Sequence, residues 1–247
     1  MKTFLSGKAN KVAALFLFFF LPRIIADTFF EYDYEISSII GIIFIVMFMF
    51  YVNKPSIANQ KSYIQKSKSI ILLSFVILAV TLQLLFFYIS YKRRLLTAYS
   101  NWLTYKHIID AIILAPISEE LFFRWSLVET CISKDTKTYK KIIFLVLTLI
   151  VWNYGHGSIT DINTTVILLG CMLYAIYFKS RNLLYCIVFH MTLNLTYLIG
   201  SSPLQNKLIF LFDSNLFIVV DILLIILSFY MTIKKISEVK KQELNLQ

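Results

Sequence analysis

The chain has 247 residues, of which 58% are apolar and only 15% are charged, and its mean hydropathy is +0.73. Soluble domains carry about 45–50% apolar and about 25% charged residues, so this composition excludes a soluble globular protein and indicates a lipid bilayer as the solvent. The net charge of +10 does not indicate a nucleic-acid partner, because lysine and arginine form short clusters between apolar runs, as juxtamembrane anchors do.

Eight apolar segments are long enough, or nearly so, to be membrane helices, which need about 20 residues each. Three lysines precede the apolar run Val12–Leu21, but no small-x-small cleavage site follows it, so we expect a retained helix and not a secretory signal. The predicted segments are 11–28, 36–52, 70–91, 107–131, 141–154, 163–179, 183–200 and 208–233. We therefore predict an all-α, polytopic membrane protein of about eight transmembrane helices, with a single membrane domain over 1–247.

The loop charges predict how these helices are oriented. The first loop is acidic, whereas the loops after the second and fourth segments, the turn near 179–182 and the tail are basic. The positive-inside rule then places both termini in the cytoplasm with eight crossings. One loop dissents, because Lys92, Arg93, Arg94 and Lys106 would lie outside. If that loop is cytoplasmic, a site on the fourth segment opens inward instead of outward.

Within residues 115–125 of the fourth segment, three ionisable residues, Glu119, Glu120 and Arg124, lie in an otherwise apolar run. Each costs about 2.5–3.5 kcal/mol at the centre of a membrane helix, so they are expected to be compensated inside the bundle. Glu120 and Arg124 are four residues apart and can pair on one helix face. Glu119 points about 100° away, toward other helices. Pro116 either starts a fresh helix or kinks a longer one.

Two further segments carry histidine with a second polar or aromatic residue four positions away. Trp152 and His156 end the fifth segment, and His190 and Asn194 lie within the seventh. An ionisable residue at membrane depth indicates a functional site by default. For each segment alone, a structural interpretation stays open, in which the polar residues only fix helix packing.

Together these segments offer the groups that peptide hydrolysis needs, namely a base for water and donors for the oxyanion. Two histidines and a carboxylate are also a usual ligand set for catalytic zinc. A proton relay in a small transporter would use similar residues, but the paired Gly- or Pro-broken helices of many transporters are missing. Three isolated cysteines form no metal-binding or disulfide pattern and are interpreted as apolar filler: Cys131, Cys171 and Cys186.

The spaced residues of these three segments resemble the motifs of the CPBP family of intramembrane proteases, also called the Abi or type II CAAX-protease family. That family has Glu-Glu-x-x-x-Arg, Phe-x-x-x-His and His-x-x-x-Asn/Asp motifs, in this order on separate helices. The matching residues here are Glu119-Glu120-x-x-x-Arg124, Trp152-x-x-x-His156 and His190-x-x-x-Asn194. The resemblance covers roughly 107–200, the predicted catalytic core. Trp152 stands where the family has Phe, which could reshape the pocket beside His156.

The resemblance implies that six residues form an active site inside the helix bundle: Glu119, Glu120, Arg124, His156, His190 and Asn194. Glu119, alone or with His156, would activate water, and Glu120 and Arg124 would orient Glu119. The histidine and asparagine of the seventh segment would stabilise the oxyanion. The resemblance leaves a zinc-type mechanism open, in which the ligands would be Glu119, His156 and His190. No His-Glu-x-x-His helix is present, so zincin geometry is excluded.

The resemblance further implies hydrolysis of a peptide bond in a membrane-associated peptide or protein, with the lipid bilayer as the other partner and no nucleic acid. The short chain, rich in Lys, Ile and Phe, favours a bacterial protein. We therefore expect peptide maturation or bacteriocin self-immunity in preference to trimming of prenylated CAAX proteins. The alternative is a catalytically silent member of the family that acts as an immunity or regulatory binding partner.

Overall fold

The computed structural model is almost entirely helical over the residues that it describes, namely 7–29, 34–52, 69–92, 108–133, 135–156, 163–201 and 215–244. No strand occurs in these ranges. The prediction of an all-α fold is therefore confirmed for the described part of the chain. The loops around 53–68 and 93–107, on which much of the predicted orientation depends, lie outside it.

Each predicted apolar segment coincides with a helix. The helices are α1 (Lys8–Phe29), α2 (Tyr34–Val52), α3 (Ser69–Lys92), α4 (108–131), α5 (Thr138–Gly155), α6 (Thr164–Ser180), α7 (Leu183–Ser201) and α8 (Asn215–Leu244). Helix α5 begins three residues before its predicted start, and α8 extends well beyond its predicted end. The predicted residues 208–214 lie outside the described part of the chain.

Helix α4 runs through Pro116 without starting afresh, so of the two alternatives for this proline the longer helix is correct. Leu114 keeps right-handed helical dihedral angles, with φ −73° and ψ −45°. Asp110–Leu114 before the proline and Leu121–Leu127 after Glu120 are π-helical. A π-helical turn shifts the register of the backbone hydrogen bonds, and such turns are frequent at functional sites.

A side-chain cap begins α6, and a residue in the left-handed conformation ends it. The side chain of Asn163 accepts hydrogen bonds from the backbone N–H groups of Thr165 and Val166, at 3.1 and 3.3 Å. This caps N–H groups that would otherwise lack a partner. Arg181 ends the helix in the left-handed conformation, with φ 54° and ψ 28°, a conformation that usually favours glycine. The chain thus turns sharply from α6 into α7.

The chain divides into two compact units, each built from two stretches of sequence. The first unit comprises Met1–Gln65 and Ile113–Cys186, and the second comprises Lys66–Ile112 and Ile187–Gln247. In the first unit α1 packs on α2, both contact α4, and α5 packs on α6. In the second unit the main contact is between α3 and α8. The single membrane domain stays a prediction.

Aromatic side chains join α1 to α4 inside the first unit. The rings of Phe19 and Phe122 stack with their centroids 4.1 Å apart, and Phe16 meets Phe122 edge-on at 5.2 Å. Phe122 in turn meets Phe123 edge-on at 4.9 Å. Phe19 and Phe122 are fully buried. Contacts of this kind add about 0.5–1.5 kcal/mol each beyond the burial of area, so they fix the helix that carries the two glutamates.

Within the described residues, one helix is long and apolar enough by length and composition to cross a membrane, at Ile71–Ile89 in α3. Shorter apolar stretches occur in four other helices, at Ala9–Leu21, Ser38–Phe50, Thr164–Ser180 and Leu183–Leu198. Helices α5 and α8 also expose many large apolar side chains. Contiguous apolar surface of this kind is unusual for a monomer in water and suits contact with lipid.

Candidate active site

The Glu120–Arg124 pair is fully buried in the first unit. Arg124 Nη1 lies 3.1 Å from Glu120 Oε1, as their spacing of four residues predicted. Arg124 Nη2 also donates to the backbone carbonyl of Gly170 on α6, at 3.4 Å. The guanidinium carbon lies 4.2 Å from the ring centroid of Trp152 and 4.7 Å from that of Tyr174. Ion pairing, a backbone carbonyl and two aromatic rings thus compensate the buried arginine.

The neighbouring Glu119 faces a different partner. Its Oε2 lies 3.5 Å from His156 Nε2, and the two side chains are 17% and 31% exposed, respectively. This accords with the rotation of about 100° between consecutive helical residues. The adjacent carboxylates therefore occupy different surroundings, since that of Glu120 is sealed, whereas the Glu119 side chain is part-exposed with its Oε2 buried against His156.

The other nitrogen of His156 is anchored to the backbone. Nδ1 lies 2.8 Å from the carbonyl oxygen of Trp152. A carbonyl only accepts hydrogen bonds, so Nδ1 must carry the proton. In the neutral ring, Nε2 then turns its lone pair toward Glu119. The Trp152 and His156 rings also lie 4.6 Å apart at an interplanar angle of 34°.

His156 directly follows the last residue of α5. Hydrogen bonds close this end of α5 and connect it to Asn163, the residue before α6. The backbone N–H of His156 donates to the carbonyl of Asn153 at 3.1 Å, which closes the last turn. The side chain of Asn153 accepts a hydrogen bond from the backbone N–H of Asn163 at 3.0 Å. The helix end that presents His156 is thereby held to the start of α6.

His190 and Asn194 belong to the second unit. His190 is buried, and its neighbour Phe189 meets Phe75 of α3 edge-on at 6.2 Å. Asn194 Nδ2 donates to the backbone carbonyl of Ala111 in the π-helical start of α4, at 2.7 Å. The structure thus brings together four of the predicted residues in the first unit, whereas the oxyanion role of His190 and Asn194 stays a prediction.

Two residues that complete the surroundings of Arg124 were not singled out from the sequence, namely Gly170 and Tyr174. Tyr174 is buried, and its hydroxyl donates to the carbonyl of Phe123 at 3.4 Å. Gly170 was detectable in principle, because a glycine in the middle of an apolar helix costs about 1 kcal/mol relative to alanine and needs a packing reason. Tyr174 lies four residues later on the same helix face.

Two of the three predicted zinc ligands lie side by side in the first unit. Glu119 and His156 supply two adjacent donors, and the bond from His156 Nδ1 to a backbone carbonyl is what zinc-binding histidines commonly make. In the described ranges, no three His, Cys, Asp or Glu side chains form a group that could hold a metal ion. Zinc therefore stays an expectation that follows from the resemblance.

Comparison with known proteins agrees with the motifs. Residues 100–196 match the family model described as Type II CAAX prenyl endopeptidase Rce1-like. The matched stretch includes all three motifs and confirms the family resemblance. No curated protein and no solved structure matches the chain.

Proposed function

We propose that this chain, whose residues 100–196 belong to the Rce1-like family of type II CAAX prenyl endopeptidases, is an intramembrane endopeptidase. The observation that carries the proposal is the Glu119–His156 pair, held with Oε2 and Nε2 3.5 Å apart beside a sealed ion pair. The family is membrane-embedded. The apolar segments support a polytopic arrangement of about eight crossings with both termini in the cytoplasm.

The pair is suited to activating a water molecule. With the proton of His156 on Nδ1, Nε2 and the Glu119 carboxylate are two acceptors that face each other. A water molecule that donates one hydrogen to each acceptor would satisfy both and would have its oxygen lone pairs turned away from them. In this arrangement the pair removes a proton from water and directs its oxygen at a substrate carbonyl.

The reaction then proceeds in two steps. In the first, the water oxygen bonds to the carbonyl carbon, its proton passes to Glu119, and negative charge collects on the carbonyl oxygen. In the second, the C–N bond breaks and the proton passes from Glu119 to the leaving nitrogen. We assign stabilisation of the oxyanion to His190 and Asn194, as the family motif implies. If zinc is bound, Glu119 and His156 would contribute two of its ligands, and the metal would polarise the carbonyl.

We further propose that the substrate is a membrane-associated peptide processed in bacterial peptide maturation or bacteriocin self-immunity. The runner-up is a catalytically silent binding partner. The two differ in what they require of Glu119, since a binding partner has no use for a part-exposed carboxylate held against a histidine. An intact pair with 17% and 31% exposed side chains supports the enzyme.

The test compares wild type, Glu119→Gln and Glu129→Gln at matched membrane abundance in the native host. Glu129 is a matched control, because it lies on the same helix about 15 Å away along the axis and its side chain is 14% exposed. We expect mass spectrometry of membrane and secreted peptides to find a product with wild type and Glu129→Gln that is missing with Glu119→Gln. Identical peptide profiles, with any immunity phenotype intact in Glu119→Gln, would overturn the enzyme and leave the binding partner.

A further inference from the structure

We propose that Trp152 and Gly170 are positioning residues that hold Arg124 and His156 in register. The inference deepens the proposed protease function and rests on it for its catalytic consequence. It assigns a role to the tryptophan that departs from the family motif, and it adds a glycine on another helix. Neither residue is proposed to touch the substrate.

Trp152 contacts both halves of the candidate site. Its ring lies 4.2 Å from the guanidinium carbon of Arg124 and 4.6 Å from the ring of His156. Its carbonyl accepts the Nδ1 proton of His156 at 2.8 Å. A series of contacts thus connects the two adjacent glutamates. Glu120 contacts Arg124, which contacts Trp152. Trp152 contacts His156, which contacts Glu119.

This series of contacts explains how the buried Glu120–Arg124 pair can influence the part-exposed Glu119–His156 pair. The side chain of Trp152 is buried, and a rigid indole has few ways to adjust when a neighbour moves. A displacement of the guanidinium is therefore passed to the imidazole through one side chain. Since a misplacement of about 1 Å can cost about 10²-fold in rate, small shifts at Trp152 should be measurable in activity.

Gly170 allows the backbone of α6 to approach Leu149 and the indole of Trp152 closely. A Cβ atom at this position would come within 2.5 Å of Leu149 Cδ2 and 3.4 Å of Trp152 Cδ1. The same residue's carbonyl accepts from Arg124 Nη2. A methyl group at position 170 would therefore displace the Cδ2 methyl group of Leu149 and would lie in van der Waals contact with the indole, beside the carbonyl that holds the arginine.

The chain offers a matched control for this glycine. A Cβ added at Gly155 would meet nothing within 4 Å. We expect Gly170→Ala to lower kcat by about 10²-fold with KM changed by less than about twofold, as a misplaced base would. Gly155→Ala should leave both constants within about twofold of wild type. Equal effects of the two substitutions would overturn the role of Gly170.

Substitutions at Trp152 separate positioning from packing. Trp152→Phe keeps an aromatic face for Arg124 and should retain kcat within about tenfold, whereas Trp152→Leu should lose about 10²-fold at equal KM and equal folded abundance. Wild-type kcat in the folded fraction of Trp152→Leu would overturn the proposal.

A fluorescence measurement tests the arrangement without activity. In a Trp102→Phe/Trp125→Phe background, Trp152 is the sole tryptophan, and its burial predicts emission shielded from acrylamide. Gly170→Ala should raise quenching and shift the emission, and Gly155→Ala should not. If this difference is observed while wild type cleaves nothing, the arrangement stands and the protease function fails. Unchanged quenching in Gly170→Ala would overturn the arrangement itself.

Discussion

Glu119 and Glu120 are adjacent in the chain, and the contrast between their surroundings explains how one helix can carry both the chemistry and its support. Glu120 is fully buried and paired with a fully buried arginine, whereas Glu119 is part-exposed and paired with an accessible histidine. The rotation of about 100° per residue separates them. The buried Glu120–Arg124 pair cannot contact a substrate. The part-exposed Glu119–His156 pair can do so, and its geometry depends on the rigid residues around it.

The largest expected effect comes from removing the accessible carboxylate. Glu119→Gln keeps the size of the side chain and one oxygen acceptor but replaces the basic carboxylate with a neutral amide, so we expect kcat to fall by about 10³-fold. The free energy of unfolding should change by less than about 0.5 kcal/mol, because the side chain is part-exposed and Gln can still accept a hydrogen bond. The measurements are cleavage of the identified peptide in proteoliposomes and detergent titration of folding.

Glu129→Gln is again the control for this variant, and cleavage by it should match wild type. A Glu119→Gln protein that cleaves at the wild-type rate would mean that another group activates water. A variant that fails to fold would mean that both carboxylates are structural and that the contrast between them is wrong.

The second effect concerns stability. Glu120→Gln leaves the Arg124 guanidinium buried without a counter-charge, which usually costs about 3–5 kcal/mol. We expect a loss near 3 kcal/mol in the free energy of unfolding, because the Gly170 carbonyl and two aromatic rings still contact the guanidinium. Activity per folded molecule should fall much less than in Glu119→Gln. Chemical unfolding in mixed micelles measures the loss.

A compensated variant checks the reason for that loss. Glu120→Gln/Arg124→Met removes the unpaired charge and should regain most of the lost stability, since apolar replacements of buried ion pairs are often near neutral. If the double variant is less stable than Glu120→Gln alone, the arginine stabilises the bundle through its aromatic contacts and not through charge balance.

The third effect is the removal of the histidine. His156→Gln leaves Glu119 as a base but removes the nitrogen that faces it, so we expect kcat to fall by about 10²-fold, less than for Glu119→Gln. Folding should change little, because the side chain is 31% exposed. Cleavage rates and thermal melting measured on the same preparations test both statements. A loss as large as that of Glu119→Gln would indicate that the two residues act as one unit.

Much of this arrangement could be predicted from the sequence because it depends on spacing within one helix. The bounds of α3 were predicted within one residue, since apolar length is a property of the sequence alone. The Glu120–Arg124 pair and the different direction of Glu119 followed from helical geometry. The family match further supports the three motifs as a set.

Contacts between helices could not be predicted in the same way. The bond from Arg124 to the Gly170 carbonyl and the ring of Tyr174 depend on which helices are neighbours, and no periodicity encodes that. The π-helical turns beside Pro116 depend on how the backbone shifts its hydrogen bonds. The roles of His190 and Asn194, the zinc ion and the orientation in the membrane stay predictions.

The smallest expected effect concerns a third ion pair, which sharpens the contrast because it is neither sealed nor part of the candidate site. Arg181 Nη1 lies 3.2 Å from Glu129 Oε1, with side chains 28% and 14% exposed. The hydroxyl of Tyr177 donates to the same carboxylate oxygen at 3.0 Å. Partly exposed pairs contribute about 0.2–1 kcal/mol, so Arg181→Ala should cost no more than about 1 kcal/mol in the free energy of unfolding.

The backbone conformation of Arg181 allows a second comparison, between the alanine and glycine variants at this position. With φ at 54°, Arg181 occupies the left-handed region, which costs a residue with a side chain about 1–2 kcal/mol and costs glycine almost nothing. Arg181→Gly loses the same ion pair as Arg181→Ala but relieves the backbone, so it should be the more stable of the two by about 1 kcal/mol. Thermal melting of both variants decides the order. If the alanine variant is the more stable, the left-handed conformation at position 181 is not strained, because both variants lack the ion pair and differ only in what this backbone conformation costs them.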